Sequence, residues 1–133
     1  MPQYLSEQWI DLYASLGAQL PERVGLDIIT QFIVEKTPNG NVRYFDVVRD
    51  GRVVEAALGK NKAADVTITW RYEFALKMLA GELGPSVAFM QGRIKVEGDY
   101  VRWLNEWVDV LNSNEYESFR IQLFADTQLF ADA

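Results

Sequence analysis

The sequence predicts an α+β fold with five strands. Three consecutive period-two runs between residues 26 and 58, separated by Gly- and Asn-rich turns, read as a β-meander. Apolar residues recur at helical spacing at both ends of the chain, and a strand, two short helices and another strand follow one another from residue 65 to residue 97. At 133 residues the chain has room for one domain, 1–133, which hides roughly 65 to 70 % of the surface of its unfolded form.

Helix one starts at Ser6, whose hydroxyl can accept a bond from an otherwise free backbone amide, although Ser6-x-x-Trp9 is not a full capping box. Trp9, Leu12, Tyr13, Leu16 and Leu20 form its core stripe, and the helix is expected to run to about Gln19, ahead of Pro21. From Leu26 to Glu35 the period becomes two, with Leu26, Ile28, Thr30, Phe32 and Val34 on one face of a first strand. Thr37-Pro38-Asn39-Gly40-Asn41 turns the chain into a second strand, Val42 to Arg49, and Asp50-Gly51 turns it again into a third, Arg52 to Leu58. Gly59-Lys60-Asn61-Lys62 is a polar loop before a fourth strand, Asp65 to Trp70.

Tyr72 to Ala80 has helical spacing at Phe74, Ala75, Met78 and Leu79 and a stop at Gly81. Pro85 opens a second short helix through Phe89, since its missing amide costs nothing in a first turn. Arg93 to Glu97 alternates as a fifth strand, and Asp99 caps a helix whose Val101, Leu104, Trp107, Val108 and Leu111 form a stripe widened by Trp103 and Val110. Glu115 to Ala133 reads as an amphipathic last helix that frays at its end. Its Phe and Leu residues also suit a lid or a partner surface, so 113–133 stands as a C-terminal lid or interaction segment. Leu-Phe-Ala-Asp occurs twice there, which is too short to be a repeat.

Composition excludes more than it suggests. The chain has no His and no Cys, so disulfides, thiolate nucleophiles, imidazole bases and ordinary zinc sites are out of reach. A net charge of −6 opposes binding to phosphate backbones, so nucleic acid is not an expected partner, and contact with an anionic membrane would be at most transient. No apolar run approaches 18 residues and the first residues lack a signal-peptide pattern, so a cytoplasmic location is expected. The final Phe130-Ala131-Asp132-Ala133 is not a peroxisomal address.

No glycine-rich phosphate loop, dinucleotide fingerprint or calcium loop is present, and no metal site or cofactor is expected. Asp46, Asp65, Glu97 and Asp99 could supply an acid and a base, but turn, cap and solvent roles explain each more simply. Lys60 and Lys62 could touch a phosphate headgroup, although lysines in such a turn are commonly solvated. Phe74, Met78, Leu79, Val87, Phe89, Met90, Ile94, Trp103 and Trp107 could pack solidly on one another, or they could line an apolar cavity.

The stretch Ala64-Asp65-Val66-Thr67, followed by Phe89-Met90-Gln91-Gly92-Arg93-Ile94-Lys95-Val96 and Gly98-Asp99, resembles the sterol carrier protein type 2 family of lipid-binding domains. The resemblance covers about Leu5 to Leu111. It implies a five-stranded, mostly antiparallel sheet covered on one face by helices, with an apolar tunnel between sheet and helices for fatty acyl chains, sterols or similar lipids. It implies that Phe74, Met78, Phe89, Met90 and Gln91 lie near the tunnel; Leu79, Ile94, Trp103 and Trp107 complete the candidate ligand-binding set. The Gln91 amide has two readings, a ligand's polar end or a backbone bond where helix meets strand.

The expected function is therefore non-catalytic binding and carriage of a lipid or other apolar small molecule. One alternative is an interaction module that docks on a partner or on a second copy through its Phe-rich C-terminal segment, as a homodimer or on an enzyme. Another is a lipid-metabolising enzyme that uses carboxylates, or a lipid-presenting accessory to one.

Overall fold

In the computed structural model, which describes residues 1–130, five strands form one mixed sheet in the order β3-β2-β1-β4-β5. The strands are β1 (Ile28–Thr37), β2 (Gly40–Arg49), β3 (Arg52–Leu58), β4 (Val66–Arg71) and β5 (Ile94–Gly98). β1 is central, antiparallel to β2 and parallel to β4, with Phe32 opposite Tyr44 on one side and Ile68 on the other. The remaining pairs are antiparallel, so the expected fold class holds.

Helix α1 (Glu7–Gly17) starts as expected, with the Ser6 hydroxyl accepting from the Trp9 amide at 3.1 Å. It ends two residues before Gln19, because Gln19 and Leu20 bond back three residues to Leu16 and Gly17 and tighten the turn. Gly17 also sets how closely α1 lies on β3, since a Cβ there would stand 2.5 Å from Val53 Cγ2. β1 starts two residues later than Leu26 because the Leu26 amide bonds Arg23 O and the Leu26 carbonyl takes the amide of Gly51 in the β2–β3 turn. In that turn Asp50 and Gly51 both have positive φ, as a two-residue hairpin of this twist requires.

The loop from β3 to β4 must pass β2 and β1 to place β4 beside β1. Gln31 holds it. The Gln31 amide nitrogen donates to Tyr44 O and Gly59 O at 3.0 Å each, and its oxygen accepts from the Asn61 amide at 2.7 Å. Gln31 alternates with Thr30 and Phe32, so this loop, with Lys60 and Lys62, crosses the sheet face opposite those two side chains.

On the other face lie Ile28, Thr30, Phe32 and Val34 of β1, Tyr44, Asp46 and Val48 of β2, and Val66 and Ile68 of β4, all buried. The helices cover this face. α2 (Tyr72–Leu79) follows β4 directly and stops before Gly81, while α3 (Pro85–Met90) opens on Pro85 as the sequence predicts. Asp99 accepts from the Arg102 amide at 3.3 Å and begins α4 (Tyr100–Arg102), a π-helical turn (Trp103–Trp107) and α5 (Val108–Leu111). The expected regular stripe from Val101 is corrected here. Val101, before the wide turn, is 53 % exposed, whereas Trp103 and Trp107 at its ends are buried, and the extra residue rotates the helix beyond it so that Val108 and Val110 are buried as well.

The last helix, α6 (Asn114–Ala125), is shorter than the sequence suggests. Beyond it the chain pairs with the N-terminal segment: Tyr4 donates to Gln128 O and Gln128 to Pro2 O, each at 2.8 Å. Thr127 is buried, accepts from Trp9 Nε1 at 2.9 Å and donates to Leu123 O at 2.5 Å. Of the expected C-terminal segment, 131–133 lies outside the described residues. Among the described residues no helix is long and apolar enough to cross a membrane.

Candidate functional site: a cavity between sheet and helices

A cavity of about 330 Å³ lies between the inner face of the sheet and the helices. Its sheet wall is aromatic. Phe32 and Tyr44 stack with ring centres 4.6 Å apart, and Phe32 stacks on Trp70 at 5.9 Å. The parallel pairing of β1 with β4 makes this row, because it sets Trp70 beside Val34, two residues from Phe32 on the same face. From above, α1 contributes Trp9 and Tyr13, α2 contributes Ala75, Met78 and Leu79, and α6 contributes Tyr116, Phe119, Arg120 and Leu123.

The exposed lining residues mark the mouth: Gly84 before α3, Asn112 and Asn114 around the α5–α6 turn, and Glu117. Arg120 ties α6 down there. Its guanidinium donates to Leu79 O at 2.8 Å and to both Glu117 oxygens at 2.5 and 3.1 Å. That fork holds the Glu117 carboxyl below its usual range and raises the Arg120 guanidinium. Glu117 is the one acidic side chain among the described lining residues, so no carboxylate pair faces the cavity. Among the described residues no cluster of His, Cys, Asp or Glu could hold a metal ion.

Behind the wall sits a buried carboxyl. Asp46 is 1 % exposed, and Tyr13 donates its hydroxyl to Asp46 Oδ2 at 2.5 Å. Burial pushes the Asp46 pKa up to about 7, against the lowering effect of the hydrogen bonds it accepts. The solvent or turn role expected of Asp46 is therefore wrong: it is on the same face as Tyr44 and Val48, in the core. Of the other three carboxylates Glu97 and Asp99 match their simpler roles, whereas Asp65 is a half-buried tie between the start of β1 and Arg102, 3.4 Å away. Asp65 accepts from the Ile29 amide at 2.8 Å, Glu97 lies on the surface 3.7 Å from the Lys95 ammonium, and Asp99 caps α4.

Of the nine residues proposed from sequence, Met78 and Leu79 line the cavity. Phe74, Phe89, Met90, Gln91, Ile94, Trp103 and Trp107 do not. Ile94, Trp103 and Trp107 are buried in the continuous core, Phe89 is in ring contact with Trp103, and Phe74 carries the Arg93 guanidinium 5.0 Å above its ring. Met90 and Gln91 are exposed at the end of α3. Trp9, Tyr13, Phe32, Tyr44, Trp70 and Tyr116 are lining residues that sequence reading did not select. Trp9 and Tyr13 stood in the helix-one stripe and Phe32 and Trp70 each on an apolar strand face, but only the β1–β4 pairing and the return of α6 bring them together.

The arrangement is similar to several solved structures. A crystal structure of sterol carrier protein 2 matches with a TM-score of 0.63 and 18 % identity, covering 84 % of this chain and 98 % of that one. The solution structure of palmitated SCP2L2 from Aedes aegypti matches with a TM-score of 0.59 and 19 % identity, over 84 % and 94 %. A stereoselective inverting sec-alkylsulfatase from Pseudomonas sp. matches with a TM-score of 0.58 and 24 % identity; 80 % of this chain is covered, but only 16 % of the sulfatase. At these identities the likeness is one of fold. No curated protein matches the chain. The model of the SCP-2 sterol transfer family matches residues 19–101, more than half of the sequence, and the chain belongs to that family.

Proposed function

We propose that this chain binds an apolar ligand, a fatty acyl chain, a sterol or a similar lipid, in the cavity between sheet and helices, and carries it without transforming it. The carrying observation is the cavity itself: about 330 Å³, walled by aromatic and aliphatic side chains, with polar residues gathered at its mouth. Met78 and Leu79, from the set proposed on sequence, are ligand contacts in this reading, and α6 with the residues after it is the lid. Burial supplies the affinity, at about 25 cal/mol per Å² of apolar surface removed from water, so binding needs few hydrogen bonds.

Membership of the SCP-2 family supports the reading, as does a structural relative that is palmitated. Displacement of a fluorescent fatty acid tests it. Saturable binding that perturbs Trp9 and Trp70 emission is expected, and absence of saturable binding by a folded sample would defeat it.

A second reading is delivery of the ligand to an enzyme, which the recurrence of this fold as 16 % of a larger alkylsulfatase favours. Product formed by the isolated chain from a bound lipid would instead mark the chain as an enzyme.

A further inference from the structure

The cavity has more hydrogen-bond donors than its protein partners use. Tyr4 and Tyr44 line it at 3 % and 4 % exposure, and among the described residues neither hydroxyl has a hydrogen-bond partner. The same holds for the hydroxyl of Tyr116, and Trp70 Nε1, on the same lining, is fully buried with no partner. A phenol and an indole N–H each offer one donor, and buried donors are ordinarily paired.

The phenols are close neighbours in electrostatic terms. Burial is the main cause that raises the hydroxyls of Tyr4, Tyr13, Tyr44 and Tyr116; after it, Tyr4 and Tyr116 raise Tyr44, Tyr72 and Tyr116 raise Tyr4, and the Asp46 carboxyl raises Tyr13, Tyr44 and Tyr116. These donors share one lining, where Tyr44 is joined to Trp70 through the stacked ring of Phe32. Arg120 is the one cation among the described lining residues, and Glu117 and Leu79 O already occupy it. A second negative charge inside would have no free counter-charge.

A cavity of about 330 Å³ with a polar mouth is within the range of small-molecule sites, so one apolar tail fits it with its polar end among the phenols.

We propose that the preferred ligand is an apolar tail bearing one neutral oxygen function, a hydroxyl or carbonyl, whose two lone pairs accept hydrogen bonds from the lining phenols, Tyr44 and Tyr116 foremost. This rests on the carrier reading above and narrows it.

The test is calorimetric titration of the full chain at pH 7.5 with 1-decanol, decanoate and 1-chlorodecane, repeated on Tyr44→Phe and Tyr116→Phe. 1-Decanol is expected to bind more tightly than decanoate. Each Phe variant is expected to lose about three- to tenfold in 1-decanol affinity, the effect of one hydrogen bond, and to bind 1-chlorodecane as the parent does. Equal losses for 1-decanol and 1-chlorodecane, no loss for either, or tighter binding of decanoate would overturn the inference and leave the carrier reading standing. Failure of every probe to bind a chain that is folded by circular dichroism would overturn both.

Discussion

Tyr13 donates its hydroxyl to Asp46 across 2.5 Å in the core between α1 and β2, and this bond joins the cavity wall to a carboxyl that water does not reach. The Asp46 pKa stands at about 7 in the folded chain and near 3.8 in a free side chain. Between those values the folded state holds a proton that the unfolded state has released. Stability is therefore highest below about pH 4 as far as this group is concerned, and it falls as pH rises to about 7, by about 4 kcal/mol in all. Urea unfolding of Asp46→Asn, which keeps an acceptor for Tyr13 but cannot ionise, is expected to lack this decline relative to the parent. Parallel pH profiles for the two proteins would contradict it.

Gly17 fixes the distance between α1 and β3. A methyl group there meets Val53 at 2.5 Å from Cγ2 and 2.8 Å from Cβ, so Gly17→Ala should destabilise by about 1–3 kcal/mol despite alanine's better helix propensity. Adding Val53→Ala should return part of that loss. Additive losses in a double-mutant cycle would show that the contact is not the cause.

Thr127 supplies the only described partner of the Trp9 indole N–H, in a place where Trp9 is 2 % exposed. Thr127→Val keeps the shape and leaves that donor unpaired, and a loss of about 1–3 kcal/mol in thermal or urea unfolding is expected. An unchanged midpoint would mean that the residues after α6 are not pinned through this bond.

Arg120 clasps α6 to the end of α2 at the cavity mouth. Removing the clasp in Arg120→Ala should loosen α6 more than the sheet. Hydrogen exchange is expected to quicken across Asn114–Ala125 while β1 keeps its protection, and bound lipid should leave several-fold faster in stopped flow. Unchanged exchange and release would remove the lid role from α6.

The elements were legible in the sequence because each rests on local rules: the Ser6 cap, the Asp50-Gly51 turn, Pro85 at a first helical turn, alternation along β1. The cavity wall was legible only in part. Met78 and Leu79 sit on the predicted helix face, but the rings of Phe32, Tyr44 and Trp70 meet through the parallel register of β1 with β4, which no local pattern encodes. Asp46 looked like a surface carboxylate because its charge outweighed its place in the alternation Tyr44, Asp46, Val48. The π-helical turn at Trp103–Trp107 likewise has no sequence signal of its own, since tryptophans four residues apart share a face of an ordinary α-helix as well.

The three methionines offer the most direct test of ligand binding in this cavity. Met78 lines it, while Met90 is 82 % and Met1 76 % exposed. In protein labelled with ¹³C at the methionine methyls, titration with 1-decanol should move the Met78 signal saturably and leave the other two in place. Saturable shifts of Met90 with Met78 unmoved would put the ligand on the surface of α3 and contradict binding between sheet and helices.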